Sequence, residues 1–134
     1  MRFTEHELTA ALTGAAKQVV AADRKVRKRG VDIDTVWDEM DRYQRFQVLD
    51  ALGNQILPIL VALPDVDVAP GTRPTYTDAQ VEEVVVSLVG DELGRLKRAV
   101  VVKARTALVQ VALANVPPRL DPDGLLVPDD LADL

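Results

Sequence analysis

The chain has 134 residues, 48% hydrophobic and 28% charged, with a net charge of −5 and no cysteine. A chain of that length folds as one domain around one core. The missing cysteines exclude disulfides, thiol nucleophiles, iron–sulfur clusters and cysteine-based zinc sites.

The charge is unevenly spread. From Arg119 onward five aspartates stand against one arginine, so the last sixteen residues carry −4 and the rest is nearly neutral. A chain of this charge is a poor general polyanion binder, although a local patch can still act. The N-terminus has no apolar core of a signal peptide. The longest charge-free apolar stretch, residues 51–64, is too short to span a bilayer. A cytoplasmic protein with no membrane partner is the expectation.

In chain order, Thr4 and Glu7 form a capping-box pair that opens a helix over about 5–29. Leu8, Leu12, Ala15, Val19, Ala22 and Val26 mark its apolar stripe, and Gly30 stands where a left-handed C-cap belongs. The small residues Ala11, Gly14 and Ala15 predict a second helix passing close. A short helix over 35–41 follows, capped by Asp32 or Asp34 and carrying Val36, Trp37 and Met40. The next spans 42–63, with Phe46, Leu49, Leu52, Ile56, Ile59 and Leu60 as its apolar set. Pro58 predicts a kink, because proline cannot donate to the helical ladder.

Residues 64–77 hold three prolines and a glycine, and read as a long loop that reaches outward. Thr77 and Gln80 form a second capping-box pair, opening a valine-rich helix over 78–89. The last helix spans 91–115 and is apolar nearly all round after Ala99. Such a helix lies at the centre of a bundle or in an oligomer interface. The class is all-α: a single-domain bundle of four to five helices over 1–116, with a Pro-rich mid-chain loop and an extended acidic arm over 117–134.

Signals for chemistry are few. His6, the only histidine, sits in a first helical turn between two glutamates that do not face it. The acids Asp34, Asp38 and Asp41 lie at helical spacing near Trp37 and Tyr43, but the Glu-x-x-His partners of a di-metal bundle are missing. Caps and a solvated face explain them. No catalytic residue, cofactor or metal site is assigned.

Two cation groups carry the functional reading. Arg24, Lys25, Arg27, Lys28 and Arg29 fall within six positions at a helix end, where the dipole also favours cations. Arg95, Arg98, Lys103 and Arg105 lie on the last helix. The arm adds apolar anchors, Leu125, Leu126 and Leu131, beside Asp129 and Asp130. The reading is a non-enzymatic interaction or assembly protein whose arm docks by its leucines, its aspartates answering the Arg24–Arg29 run. The partner is a protein, with self-association through the last helix or the arm expected. The alternative is a nucleic-acid-associated regulatory protein using both cation groups.

Overall fold

The structure, a computed structural model, describes residues 1–119. Six helices follow in order: α1 (Glu5–Ala22), α2 (Arg24–Arg29), α3 (Ile33–Glu39), α4 (Arg42–Ala62), α5 (Asp78–Leu88) and α6 (Arg95–Ala114). They form one all-α bundle in which α6 packs on α1, α5 and α4. Among the described residues there is no strand, only an isolated bridge between Thr72 and Arg119. None of their helices is long and apolar enough to cross a membrane.

Six helices replace the four to five expected, because the first one breaks. Asp23 takes an extended conformation, and its carboxylate accepts the Lys25 N–H at 2.8 Å. It therefore ends α1 and caps α2 at once. The cation run forms a separate turn and a half, closed by Gly30 at φ 63°. The last helix also starts later than Asp91. Its N-cap is Gly94, and residues 90–94 form the turn from α5.

The capping boxes at Thr4–Glu7 and Thr77–Gln80 form as expected, and a third, Asp41–Gln44, opens α4. α4 runs unbroken through Pro58. Pro58 and Asn54 are both exposed, so the carbonyl that proline leaves unbonded lies on the wet face of the helix. Phe46, placed in the apolar set, is 61% exposed; the buried face starts at Leu52.

Helix α1 buries the expected stripe in part: Leu8, Leu12 and Ala15 pack on the core, and Ala11 and Ala16 beside them join it. Ala11, Ala15 and Ala16 are fully buried, while Val19 is 39% exposed. Small side chains let α6 approach closely, and a Cβ on Gly14 would collide with the side chain of Asn115. The core closes around Ile56, Ile59, Leu60, Val81, Val85 and Val109. A smaller cluster of Ala16, Trp37 and Leu52 sits beneath α3.

The loop over 64–77 is no outward arm. Pro74 is fully buried and Val68 is 9% exposed. Tyr76 donates its hydroxyl proton to the Pro64 carbonyl at 2.7 Å, clasping the two ends of the loop. Burial pushes the Tyr76 hydroxyl above its usual pKa, helped by Asp65 and opposed by Arg119. Arg73 donates to the Ala114 carbonyl, which ties the loop to the end of α6.

The buried alanine stripe of α1 begins with a charge. Glu7 is 5% exposed. Its carboxylate accepts the Thr4 N–H at 3.0 Å, and then both arms of Arg119, Nε at 2.8 Å and Nη2 at 3.0 Å. Arg119 Nη2 also donates to the Arg2 carbonyl at 2.9 Å, and its backbone N–H to Thr72 at 2.8 Å. The two side chains are 8% and 7% exposed. Removing one partner from such a pair leaves a buried charge without an answer. Glu7→Ala or Arg119→Ala is expected to lower stability by about 3–5 kcal/mol. The double change Glu7→Leu with Arg119→Met is expected to restore most of it. Urea unfolding of the three variants is the check, and a double variant no better than the singles contradicts it.

Candidate docking groove between α5 and α6

Along α6, the buried stripe is Val102, Thr106, Val109 and Leu113. The positions beside it stay open on the side facing α5. A groove of about 740 Å³ lies there. Val86, Ala99, Val102 and Ala107 give it an apolar lining. Leu96 and Val100, 84% and 68% exposed, lie on the same half of α6.

The groove is charged by region. Arg95, Arg98 and Lys103 line the half toward the start of α6. Asp78, Glu82 and Gln110 line the other half. Gln110 donates to the Tyr76 carbonyl at 2.9 Å and to Asp78 Oδ1 at 3.0 Å, so that end is fixed. Arg98 donates Nε to the Gly90 carbonyl and Nη2 to the Val86 carbonyl, both at 3.2 Å, and Asp91 lies 3.9 Å away. It thus caps the end of α5 while lending a positive charge to the groove.

Between these halves sits Thr106. It is 8% exposed, and its hydroxyl has no hydrogen-bond partner. Helical threonines commonly satisfy themselves on the carbonyl one turn earlier. A buried polar group left unpaired costs stability and points to a role outside packing.

The other expected site residues are dispersed. Arg24, Lys25, Arg27, Lys28 and Arg29 are exposed on α2, which buries no residue. Arg29 pairs with Glu39 at 3.0 Å. Arg105 turns from the groove toward Leu88, Val89 and Leu93 at the α5–α6 turn. Leu125, Leu126, Asp129, Asp130 and Leu131 lie outside the described residues. Of the acids near Trp37, Asp34 pairs with Lys17 at 2.8 Å and Asp41 caps α4, while Trp37 is buried. Among the described residues, no three histidine or acidic side chains come together as metal ligands.

Sequence reasoning did not mark Thr106 or Gln110 as site residues. The signal was present: Thr106 is four residues after Val102 and three before Val109, on the buried stripe. A scan against protein-family models finds no match, and neither do searches of the curated proteins and of the solved structures.

Thr106→Val keeps the shape and removes the unpaired hydroxyl. It is expected to raise stability by about 1 kcal/mol, the usual lower cost of an unsatisfied buried polar group. Thermal and urea unfolding report it. A loss of stability would mean that the hydroxyl is already satisfied within the fold.

Proposed function

We propose that this chain is a non-enzymatic protein-interaction module whose α5–α6 groove takes an acidic, leucine-bearing segment of a protein. The observation that carries the reading is the pairing of an apolar lining with Arg95, Arg98 and Lys103 at one end. Leucines supply most of the energy of such docking, at about 1.5–3 kcal/mol for each side chain fully buried. Exposed ion pairs add about 0–1 kcal/mol, so the cations set register and partner choice. The Arg24–Arg29 run is the weaker dock, because α2 offers charge without an apolar cradle.

α6 itself carries Arg95, Lys97, Arg98, Lys103 and Arg105 and no acid, so an acidic segment lying along it meets charge of the opposite sign.

The probe is a synthetic fifteen-residue peptide in which leucine pairs alternate with aspartate pairs, titrated into the isotopically labelled full chain. Amide shifts are expected around Val102, Thr106 and Ala107, with affinity falling at least about tenfold in the Arg95→Glu, Lys103→Glu double variant. Binding should persist at high salt. Shifts centred on α2, or none, contradict the reading.

A second reading, nucleic-acid binding, draws on one observation. α1 and α6 run antiparallel, since Glu7 meets Arg119 while Gly14 meets Asn115. The Arg24–Arg29 and Arg95–Arg98 groups therefore share one end of the bundle. Two exposed aromatics, Tyr43 and Phe46, stand on the first turns of α4, which starts soon after α3. Binding of a single-stranded oligonucleotide would show a steep loss with salt, with a log–log slope of about 0.7 per phosphate contacted. Retained binding in a variant with Arg24, Arg27 and Lys28 changed to glutamate contradicts it.

A further inference from the structure

We infer that the α5–α6 face pairs with the same face of a second copy of the chain, antiparallel, so that without a partner each copy covers the other's groove. The masking, though not the pairing, rests on the reading of the groove as a site for acidic, leucine-bearing segments.

The face carries apolar surface that the fold does not use. Leu96, Val100, Ala104, Ala107, Val111 and Ala114 follow one another at steps of three and four along one side of α6. All but Val111 are exposed, Leu96 and Val100 at 84% and 68%. The alanines among them let a second helix come close.

Charge decides the orientation. α5 and α6 run antiparallel: Gln110 donates to Asp78, and Arg98 to the Val86 and Gly90 carbonyls. All the cations of α6 lie between Arg95 and Arg105, and its second half, Thr106 to Ala114, carries no charge. Asp78 and Glu82 line the groove from α5, with Asp78 fixed on Gln110 in that second half. At the shared rise of about 1.5 Å per residue, Glu82 stands about level with Thr106. Arg73 lies at the far tip, held on the Ala114 carbonyl.

A two-fold axis crossing α6 at the level of Arg105 therefore lays the cationic half of each copy over the uncharged half of the other. Leu96 comes to lie over Ala114. Lys103 comes level with the second copy's Glu82, and Arg98 with the stretch beside its Asp78. A parallel pair would instead oppose cation to cation, so electrostatics selects the antiparallel one. The contact is isologous, and the Lys103–Glu82 pair occurs twice in it. The unpartnered hydroxyl of Thr106 lies one residue from the axis level, at the centre of the paired faces.

Size sets the strength. With α6 about 30 Å long, α5 about 16 Å, and each about 10–12 Å across, each copy offers about 450–550 Å². The pair then buries about 1,000 Å², in the range of weak, reversible interfaces rather than obligate dimers. A segment that binds the groove competes with such a dimer by mass action.

Sedimentation equilibrium of the full chain, from micromolar to millimolar concentration, reads the pairing. Glu82→Lys and Lys103→Glu change exposed residues, and each puts two like-charge pairs into the dimer. Each is expected to weaken self-association about tenfold. An equimolar mixture of the two variants regains both opposite-charge pairs in a heterodimer, and should associate about as tightly as the unchanged chain. The leucine–aspartate peptide should convert the unchanged dimer to monomers. Glu82→Lys should bind that peptide no more weakly than the unchanged chain, whereas Lys103→Glu should bind it more weakly.

A chain that stays monomeric at millimolar concentration overturns the inference. So does a dimer that neither variant weakens, or a mixture that associates no more tightly than its components. If the chain is monomeric while the peptide still shifts Val102 to Ala107, the groove reading stands and only its second-copy occupant falls. Dimers that pass the charge test but persist at saturating peptide keep the pairing and overturn the masking.

Discussion

The fold depends on one buried ion pair. Glu7 heads the alanine stripe by which α1 meets α6, and Arg119 meets it from beyond the last helix. A bidentate guanidinium–carboxylate contact fixes orientation as well as distance. Here it joins the N-terminal strap, the cap of α1, the loop after α4 and the chain beyond α6 at a single point. The Thr4 N–H occupies a further acceptor site on the carboxylate, so the charge is answered from within the fold. The alanines below it need this arrangement, because small side chains bury little area and depend on close, well-aligned packing.

The clamp also determines where the groove can be used. With the loop held down by Tyr76, Arg73 and the Thr72–Arg119 bridge, the Asp78–Gln110 end of the groove is fixed in place. The cations at the other end belong to the start of α6, one of them held by the carbonyls that close α5. Along α6 the apolar residues Ala99 and Val102 lie among the cations Arg95, Arg98 and Lys103, with Thr106 and Gln110 following, so the two ends of the groove differ in charge.

Much of the fold was legible in the sequence. Thr4–Glu7 and Thr77–Gln80 announced two helix starts through local hydrogen bonding that needs no tertiary context. Gly14 between alanines announced a close helix crossing. The break at Asp23 was not legible, since apolar spacing continues across it to Val26 and only the backbone turn separates α1 from α2. Phe46 and Val19 fit helical periodicity yet face outward, because periodicity marks a face without saying what covers it. Pro64, Pro70 and Pro74 suggested a free loop, whereas Pro74 is a buried packing residue.

The site was half legible. Arg95, Arg98 and Lys103 stood out as a basic group, but what makes them a site is α5 across from them, a long-range pairing that one sequence does not reveal. Glu7 looked complete as a capping residue and Arg119 looked like a lone countercharge, so 112 residues hid their contact. The central claim is that leucines of an acidic segment cover the groove. A methyl NOE spectrum of the full chain with the leucine–aspartate peptide at high salt tests it most directly. Cross-peaks from the peptide's leucine methyls to Val102 and Ala107 are the result the account predicts. Peptide methyls at random-coil shifts, with no cross-peak to α6, would contradict it.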